Sequence, residues 1–196
     1  MEKNNKKKKL EIGLIQVFYG DGRGKTSAAI GTAIRAAGHG LKVAVVQFLK
    51  DGGISGEFNY LKKHKIKIFE LGPSAGKEYD KLVRDGKAKI TKIYFDYDKH
   101  IIEKSKKGLK LSKKLLSSGE YDLVILDEIN TAAAFGHFTY DEILDILKKK
   151  NKYTEVILTG FKPNEKIIEI ADLVSEVKKI KHPFDKGILA RWGVDY

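Results

Sequence analysis

Two groups of residues in this sequence have the types and spacing that chemistry requires. The first is Gly20-Asp21-Gly22-Arg23-Gly24-Lys25-Thr26-Ser27, set between the apolar run Leu14 to Tyr19 and the alanine-rich stretch Ala28 to Ala37. A glycine-rich turn between a strand and a helix lets backbone N–H groups converge on an anion, and the helix N-terminus adds partial positive charge. In this setting Lys25 lies along a chain of phosphates and the Thr26 hydroxyl takes a position on Mg2+. The usual spacing, Gly-x4-Gly-Lys-Ser/Thr, is shortened here: Tyr19 stands five positions before Gly24, and the leading glycine is Gly20. A dinucleotide fingerprint fits worse, because Lys25 occupies its third-glycine position and the second strand ends at Gln47 instead of an acidic ribose binder. The loop therefore points to a nucleoside triphosphate.

The second group is Val124-Ile125-Leu126-Asp127-Glu128. An apolar run ending in a carboxylate places that carboxylate at the C-terminal end of a buried strand, beside the phosphate loop of an open α/β sheet. Asp127 is expected to hold Mg2+ through a water. Glu128 has three readings: orienting a water, binding the ribose, or binding a second substrate. The five histidines (His39, His64, His100, His137, His182) show no ligand spacing at i+3 or i+4, and no Ser/His/Asp order stands out. Ser27 reads as part of the helix start.

The elements that position these residues alternate between strand and helix. Strands are expected at Leu14–Tyr19, Lys42–Phe48, Ile66–Leu71, Tyr121–Leu126, Val156–Leu158 and Leu173–Ile180. Helices are expected at Ala28–Ala37, across most of Lys87–Leu116, at Asp141–Lys149 with Thr139 as N-cap, and at Asn164–Ala171 behind Pro163. Uninterrupted apolar strands separated by helices imply an α/β fold with a mostly parallel central sheet of about six strands and helices on both faces. Residues 1–9 read as a flexible lysine-rich arm, and residues 10–196 as a single nucleotide-binding catalytic domain.

Composition bounds the remaining possibilities. The chain has 196 residues and a net charge of +12, and hydrophobic residues make up 42%, enough for a core. The cations are 34 lysines and only four arginines, spread over many segments. Arginine is the usual bidentate reader of bases, so this surplus reads as solvated surface, and a nucleic-acid partner is not expected. There is no cysteine, which excludes disulfides, zinc knuckles, thiol nucleophiles and iron–sulfur ligation. No stretch approaches the roughly 18 apolar residues of a membrane span. The lysines before Leu10 mimic a signal peptide, but Glu11 and Gln16 interrupt the apolar run, so a cytoplasmic location is expected.

The sequence also resembles a known family. The loop Gly20–Thr26, Arg35-Ala36-Ala37-Gly38-His39-Gly40, Val45-Val46-Gln47-Phe48, Leu126-Asp127-Glu128-Ile129-Asn130, Leu158-Thr159-Gly160, Lys181-His182-Pro183-Phe184-Asp185-Lys186-Gly187 and Gly193-Val194-Asp195-Tyr196 look like the ATP:corrinoid adenosyltransferases of the CobA/BtuR/CobO type. The matches run in order from Gly20 to Tyr196. The resemblance implies a RecA-like P-loop domain, a homodimer, and transfer of the 5′-deoxyadenosyl group of ATP to Co(I) of a reduced corrinoid, cobalamin or a precursor, with loss of tripolyphosphate. It implies ATP bound in reversed orientation, so that C5′ faces the nucleophile, and an external reductant such as a flavoprotein. Under it, Lys25, Thr26 and Glu128 position the substrate and stabilise the leaving group. The nucleotide is bound by Gly20, Asp21, Gly22, Arg23, Gly24, Lys25, Thr26, Ser27, Arg35 and Glu128, and Mg2+ by Thr26 and Asp127.

Two positions depart from the family pattern. The Phe-x-Trp pair that lies under the corrin is absent from Gly72–Tyr79, where Tyr79 is the one aromatic candidate to replace it. Phe161 stands where the family has arginine after Thr159-Gly160. The lone Trp192 reads as core or dimer packing. The alternatives to adenosyl transfer are a P-loop small-molecule kinase or ATPase and a RecA-like ATP-dependent nucleic-acid-binding module.

Overall fold

Strands that are apolar at consecutive positions need cover on both faces, and the computed structural model provides it. It describes residues 10–50, 55–72, 99–161, 163–188 and 190–195. In chain order the elements are β1 (Ile15–Tyr19), α1 (Lys25–Gly38), β2 (Val43–Phe48), α2 (Gly56–Lys63), β3 (Lys67–Leu71), α3 (Lys99–Ser117), β4 (Leu123–Asp127), α4 (Ile129–Ala134), α5 (Tyr140–Lys148), β5 (Glu155–Gly160), α6 (Glu165–Ile170) and β6 (Leu173–Glu176), followed by a 3-10 turn at Pro183–Lys186. The six strands form one sheet in the order β3-β2-β4-β5-β1-β6, and every neighbouring pair is parallel.

Successive side chains of a strand point to opposite faces. In β2, Val43 and Val45 face one side while Ala44, Val46 and Phe48 face the other; Leu123 and Ile125 of β4 oppose Val124 and Leu126 in the same way. Each side builds its own core. On one, Ala29, Ile30 and Ala33 of α1 and Leu61 of α2 cover the sheet; on the other, Leu109 and Leu116 of α3, Ile129 of α4, Ile143 of α5 and Ile167 of α6 do so.

Local chemistry sets the helix ends. The last turn of α1 closes with Gly40 N–H on Ala37 O (2.9 Å) and Leu41 N–H on Ala36 O (3.1 Å), with Gly40 at φ 79°. This is a Schellman closure, which favours glycine at the left-handed position. Thr139 caps α5 in a full capping box with Glu142, as its sequence position leads one to expect. Asn164 accepts from Lys166 N–H at 3.0 Å and caps α6.

Three elements differ from the sequence reading. Helices α2 and α4 were not expected: α2 buries only Leu61, and five of the six residues of α4 are buried, so neither shows an amphipathic period. Strand β6 ends at Glu176, four residues short of Ile180, because the chain there leaves the sheet to pack on the glycine loop. The helix expected across Lys87–Leu116 is seen as Lys99–Ser117; its beginning, the arm 1–9 and Tyr79 lie outside the described residues. Among the described residues no helix is long and apolar enough to cross a membrane.

Candidate functional site

The order β4-β5-β1 brings three strand ends together at the C-terminal edge of the sheet: Asp127-Glu128 after β4, Gly160-Phe161 after β5, and the glycine loop after β1. Ligands of open α/β sheets bind along this edge. The loop is shaped by the chain that follows β6. Gly20 has φ 122°, and a Cβ there would stand 2.4 Å from Val177 O; one on Gly22 would stand 2.7 Å from the Lys178 carbonyl carbon. The Gly22 N–H donates to Val177 O at 2.8 Å, and the Lys179 N–H donates to Asp21 Oδ1 at 3.0 Å. That last bond holds the Asp21 carboxyl below the usual carboxylate range. Asp21 and Gly22 therefore staple the loop to residues 177–179.

Helix α1 opens directly from the loop. Gly24, at φ 125°, is its N-cap and offers no side-chain cap, and the first helical bond is Ala28 N–H to Gly24 O at 2.8 Å. The N–H groups of Lys25, Thr26 and Ser27 thus have no acceptor within the helix, the arrangement that binds anions. Lys25 Nζ is folded back onto Gly22 O at 2.8 Å.

Asp127 is fully buried and accepts four hydrogen bonds. Its Oδ1 takes the Thr26 hydroxyl at 2.8 Å and the Thr159 hydroxyl at 2.7 Å. Its Oδ2 takes Gln47 Nε2 and Lys50 Nζ, each at 3.0 Å. Burial alone pushes this carboxyl up, but the Lys50 charge and the bonds from Thr159, Lys50 and Thr26 outweigh it, and the group lies below its ordinary value. Lys50 is loaded in the opposite sense: burial lowers its ammonium, while Asp127 and Glu57 raise it further, so that it stays charged. Gln47 Oε1 is buried without a hydrogen-bond partner among the described residues.

Glu128 sits at φ 62°, a left-handed position that is uncommon outside glycine and turns the chain sharply from β4 into α4. Its N–H donates to Thr159 Oγ1 at 2.9 Å, so one hydroxyl reads both acidic residues. Its carboxylate accepts from the Thr131 hydroxyl, which itself accepts from Phe161 N–H at 3.1 Å. Burial, then the neighbouring Asp127 charge, pushes the Glu128 carboxyl above the usual range.

A cleft of about 650 Å3 opens over these groups. Arg23, Lys25, Thr26, Lys50, Glu57 and Glu128 line it, and the C-terminal turn Gly193–Asp195 forms part of its wall. Arg23 holds that turn by donating to Val194 O and pairing with Asp195 at 3.1 Å, while Arg191 Nε reaches the same carboxylate at 3.0 Å. The hydrogen bonds from Arg191, with the charge of Arg23, keep Asp195 below the usual range.

The structure thus gathers Lys25, Thr26, Asp127 and Glu128 and sets Arg23–Ser27 around one edge of the cleft, while Gly20–Gly22 pack on residues 177–179. Arg35 is not brought to this place. It lies in the last turn of α1, ten residues beyond Lys25 and so about 15 Å along the axis, beside a second cavity shared with His39 and Glu155. Trp192 is 51% exposed and lies outside the core. His137 is buried against Ser105 (Nδ1 to Oγ 2.8 Å), where desolvation lowers its pKa.

Lys50, Glu57 and Thr131 are site residues that motif reading does not supply, while Gln47 and Thr159 lie in the matched segments Val45–Phe48 and Leu158–Gly160 without a role assigned to them. Gln47 has a second signal, being a polar residue inside the otherwise apolar VAVVQF strand. Lys50 had none that separates it from 33 other lysines.

A parallel α/β sheet with a glycine loop between β1 and α1, and a buried strand-end aspartate bonded to the loop threonine, defines a P-loop nucleotide-binding protein. Since β5 separates the loop strand from the aspartate strand, the arrangement is RecA-like. The profile of the family described as "ATP:corrinoid adenosyltransferase BtuR/CobO/CobP" matches residues 11–196. The chain is 35% identical over 186 residues to the corrinoid adenosyltransferase of Escherichia coli (strain K12), covering 95% of this chain and 87% of that protein. It is 33% identical to the corrinoid adenosyltransferase CobA of Salmonella typhimurium, with the same coverage of both chains. A Sinorhizobium corrinoid adenosyltransferase is 34% identical over 190 residues, 95% of this chain and 81% of its own length. The chain belongs to the ATP:corrinoid adenosyltransferase family.

Proposed function

We propose that this protein transfers the 5′-deoxyadenosyl group of ATP to the Co(I) of a reduced corrinoid, cobalamin or a biosynthetic precursor, releasing tripolyphosphate. The observation that carries the reading is the cleft-facing loop, with Lys25 and the free N–H groups of α1 on one side and buried Asp127 bonded to Thr26 on the other, in a chain of this family.

The bookkeeping of the reaction assigns modest tasks to the protein. The cobalt substrate supplies an electron pair to C5′; the C5′–O bond breaks, its pair leaves on tripolyphosphate, and the cobalt is formally oxidised from Co(I) to Co(III). No protein nucleophile is needed. The polypeptide orients C5′, excludes water and offsets the charge that develops on the leaving group. The Lys25 ammonium and the free amides of Lys25, Thr26 and Ser27 at the helix N-terminus do the last of these, the Gly20 and Gly22 amides being bonded to Gly160 O and Val177 O. Arg23 holds the wall of the cleft, and Glu128 faces the nucleotide or the acceptor.

The residues fit a divalent cation. Thr26 Oγ1 and Asp127 supply hard oxygen donors, and the unpartnered Gln47 Oε1 is an acceptor suited to a metal-bound water. When bound there, Mg2+ neutralises phosphate charge and lowers the cost of departure.

A homodimer accounts for the exposed apolar side chains of Leu173, Val174, Ile180, Phe184, Ile188 and Trp192. With no cysteine in the chain, the electrons that make Co(I) come from an external reductant such as a flavoprotein, in the cytoplasm.

The test is anaerobic incubation with ATP, Mg2+ and chemically reduced cobalamin. An adenosylated corrin and stoichiometric tripolyphosphate are the expected products. ADP or phosphate without a cobalt–carbon bond would instead identify a phosphoryl-transfer enzyme.

A further inference from the structure

Lys50 belongs to no motif, yet in the cleft it is held between two carboxylates. Its Nζ donates to Asp127 Oδ2 at 3.0 Å and to Glu57 Oε1 at 3.2 Å. Gln47 Nε2 spans the same two oxygens, at 3.0 and 3.2 Å. The backbone is shaped to deliver this lysine. Leu49 is held at φ 60°, a left-handed conformation unfavourable for a side chain of its size. Behind it the chain lies so close to Gly72 that a Cβ there would be 2.3 Å from Lys50 N. One ammonium is thus placed between a carboxylate at the sheet edge and a carboxylate in the first turn of α2.

The two oxygens of Asp127 are not equivalent. Oδ1 is held by the hydroxyls of Thr26 and Thr159, which also position the loop and Glu128. Oδ2 is held by nitrogen donors alone, and one of them carries a full positive charge. A divalent cation seated on Thr26 and Asp127 meets that ammonium at close range in a poorly solvated cleft, where like charges repel strongly. Glu57 offers the ammonium somewhere to go without leaving the cleft: it already contacts Lys50, and its side chain is only 22% exposed.

We propose that Lys50 is the resident counter-ion of Asp127, displaced when a divalent cation binds, and that Glu57 is the carboxylate that receives the displaced ammonium. Before metal arrives, Lys50 holds Asp127 Oδ2 while the Thr26 hydroxyl holds Oδ1. Afterwards it remains as a cation on the cleft wall, drawn toward α2. Lys50 and Glu57 are positioning residues in this exchange. The inference rests on the reading of Thr26 and Asp127 as the metal position.

The experiment measures metal binding. Mn2+ is titrated into the full chain, free metal is followed by electron paramagnetic resonance, and the titration is repeated with tripolyphosphate present. The variants are K50M, K50R and E57Q, with D127N as the reference that removes the site. Loss of a competing charge-assisted bond predicts that K50M binds Mn2+ about tenfold tighter than wild type. K50R keeps the competitor and stays close to wild type. E57Q removes the receiving carboxylate and binds Mn2+ more weakly, by about threefold to tenfold. Structural damage would weaken metal binding in both K50M and E57Q, so opposite signs are the signature of exchange. Unchanged or weaker binding in K50M overturns the proposal, as does unchanged or tighter binding in E57Q. If wild type shows no Mn2+ binding that D127N abolishes, the metal position and the exchange fall together, while adenosyl transfer is still judged by its products.

Discussion

Replacing Asp127 with asparagine tests the centre of the site without changing its shape. The wild-type carboxylate is 0% exposed and accepts from Thr26, Thr159, Gln47 and Lys50. Asparagine offers one acceptor oxygen. Turned toward the hydroxyls, its amide faces the two nitrogen donors, Gln47 Nε2 and Lys50 Nζ; turned the other way, it forces both threonine hydroxyls to become acceptors. In either orientation the buried ion pair is lost, a change that costs about 3–5 kcal/mol when nothing compensates. Here Lys50 keeps Glu57 and its side chain is 25% exposed, so we expect a smaller loss, about 2–3 kcal/mol at neutral pH. For a chain of this size that corresponds to a fall of about 4–12 °C in Tm.

The pH dependence gives the same substitution a second readout. The folded-state pKa of Asp127 is depressed, so its contribution is present above the unfolded carboxylate value of about 3.9 and is lost as pH falls through the folded value. The gap in Tm between wild type and D127N should hold from pH 7 to pH 5 and close below pH 4. Thermal unfolding followed by circular dichroism at pH 7, 5, 4 and 3 measures it. A D127N protein that melts within a degree of wild type at pH 7, or a gap that persists undiminished at pH 3, would refute the account of Asp127 as a buried charge held by Lys50.

Other consequences follow from single contacts. Lys25 Nζ bonds a carbonyl of its own loop, so K25M should leave Tm nearly unchanged while isothermal calorimetry shows ATP affinity reduced at least about tenfold. An alanine at Gly20 would put its Cβ 2.4 Å from Val177 O at φ 122°; G20A should fold but lose nucleotide binding, and faster proteolysis near residues 177–179 would report the detached staple. T139A removes the capping box of α5 and should cost about 1 kcal/mol, read from urea unfolding, with adenosyl transfer unaffected.

Much of this molecule was legible locally. The apolar runs of β1, β2, β4 and β5 announce buried strands because a parallel sheet covered on both faces admits no polar alternation. The glycine loop and the strand-end Asp127 announce phosphate chemistry because few other arrangements use glycines, Lys and Thr in that order before a helix. Thr139 acts as a cap from its position alone. Helix α4 was hidden because its residues INTAAA are almost all buried, and α2 because it presents one buried side chain. Arg35 lies in a matched segment, and nearly three turns of α1 separate it from the loop.

What the sequence determined by itself was a set of local propensities: strands, a loop able to bind an anion, caps, and a chain with no thiol chemistry. The tertiary structure decided which of those pieces meet. Thr26, Gln47, Lys50 and Thr159 come from three separate stretches and converge on the carboxylate of a fourth, Asp127, only because the sheet runs β2-β4-β5-β1. Strand order is fixed by packing between segments far apart in the chain, and no local pattern encodes it. That is why one lysine among 34 holds the central position of the cleft and could be found only in three dimensions.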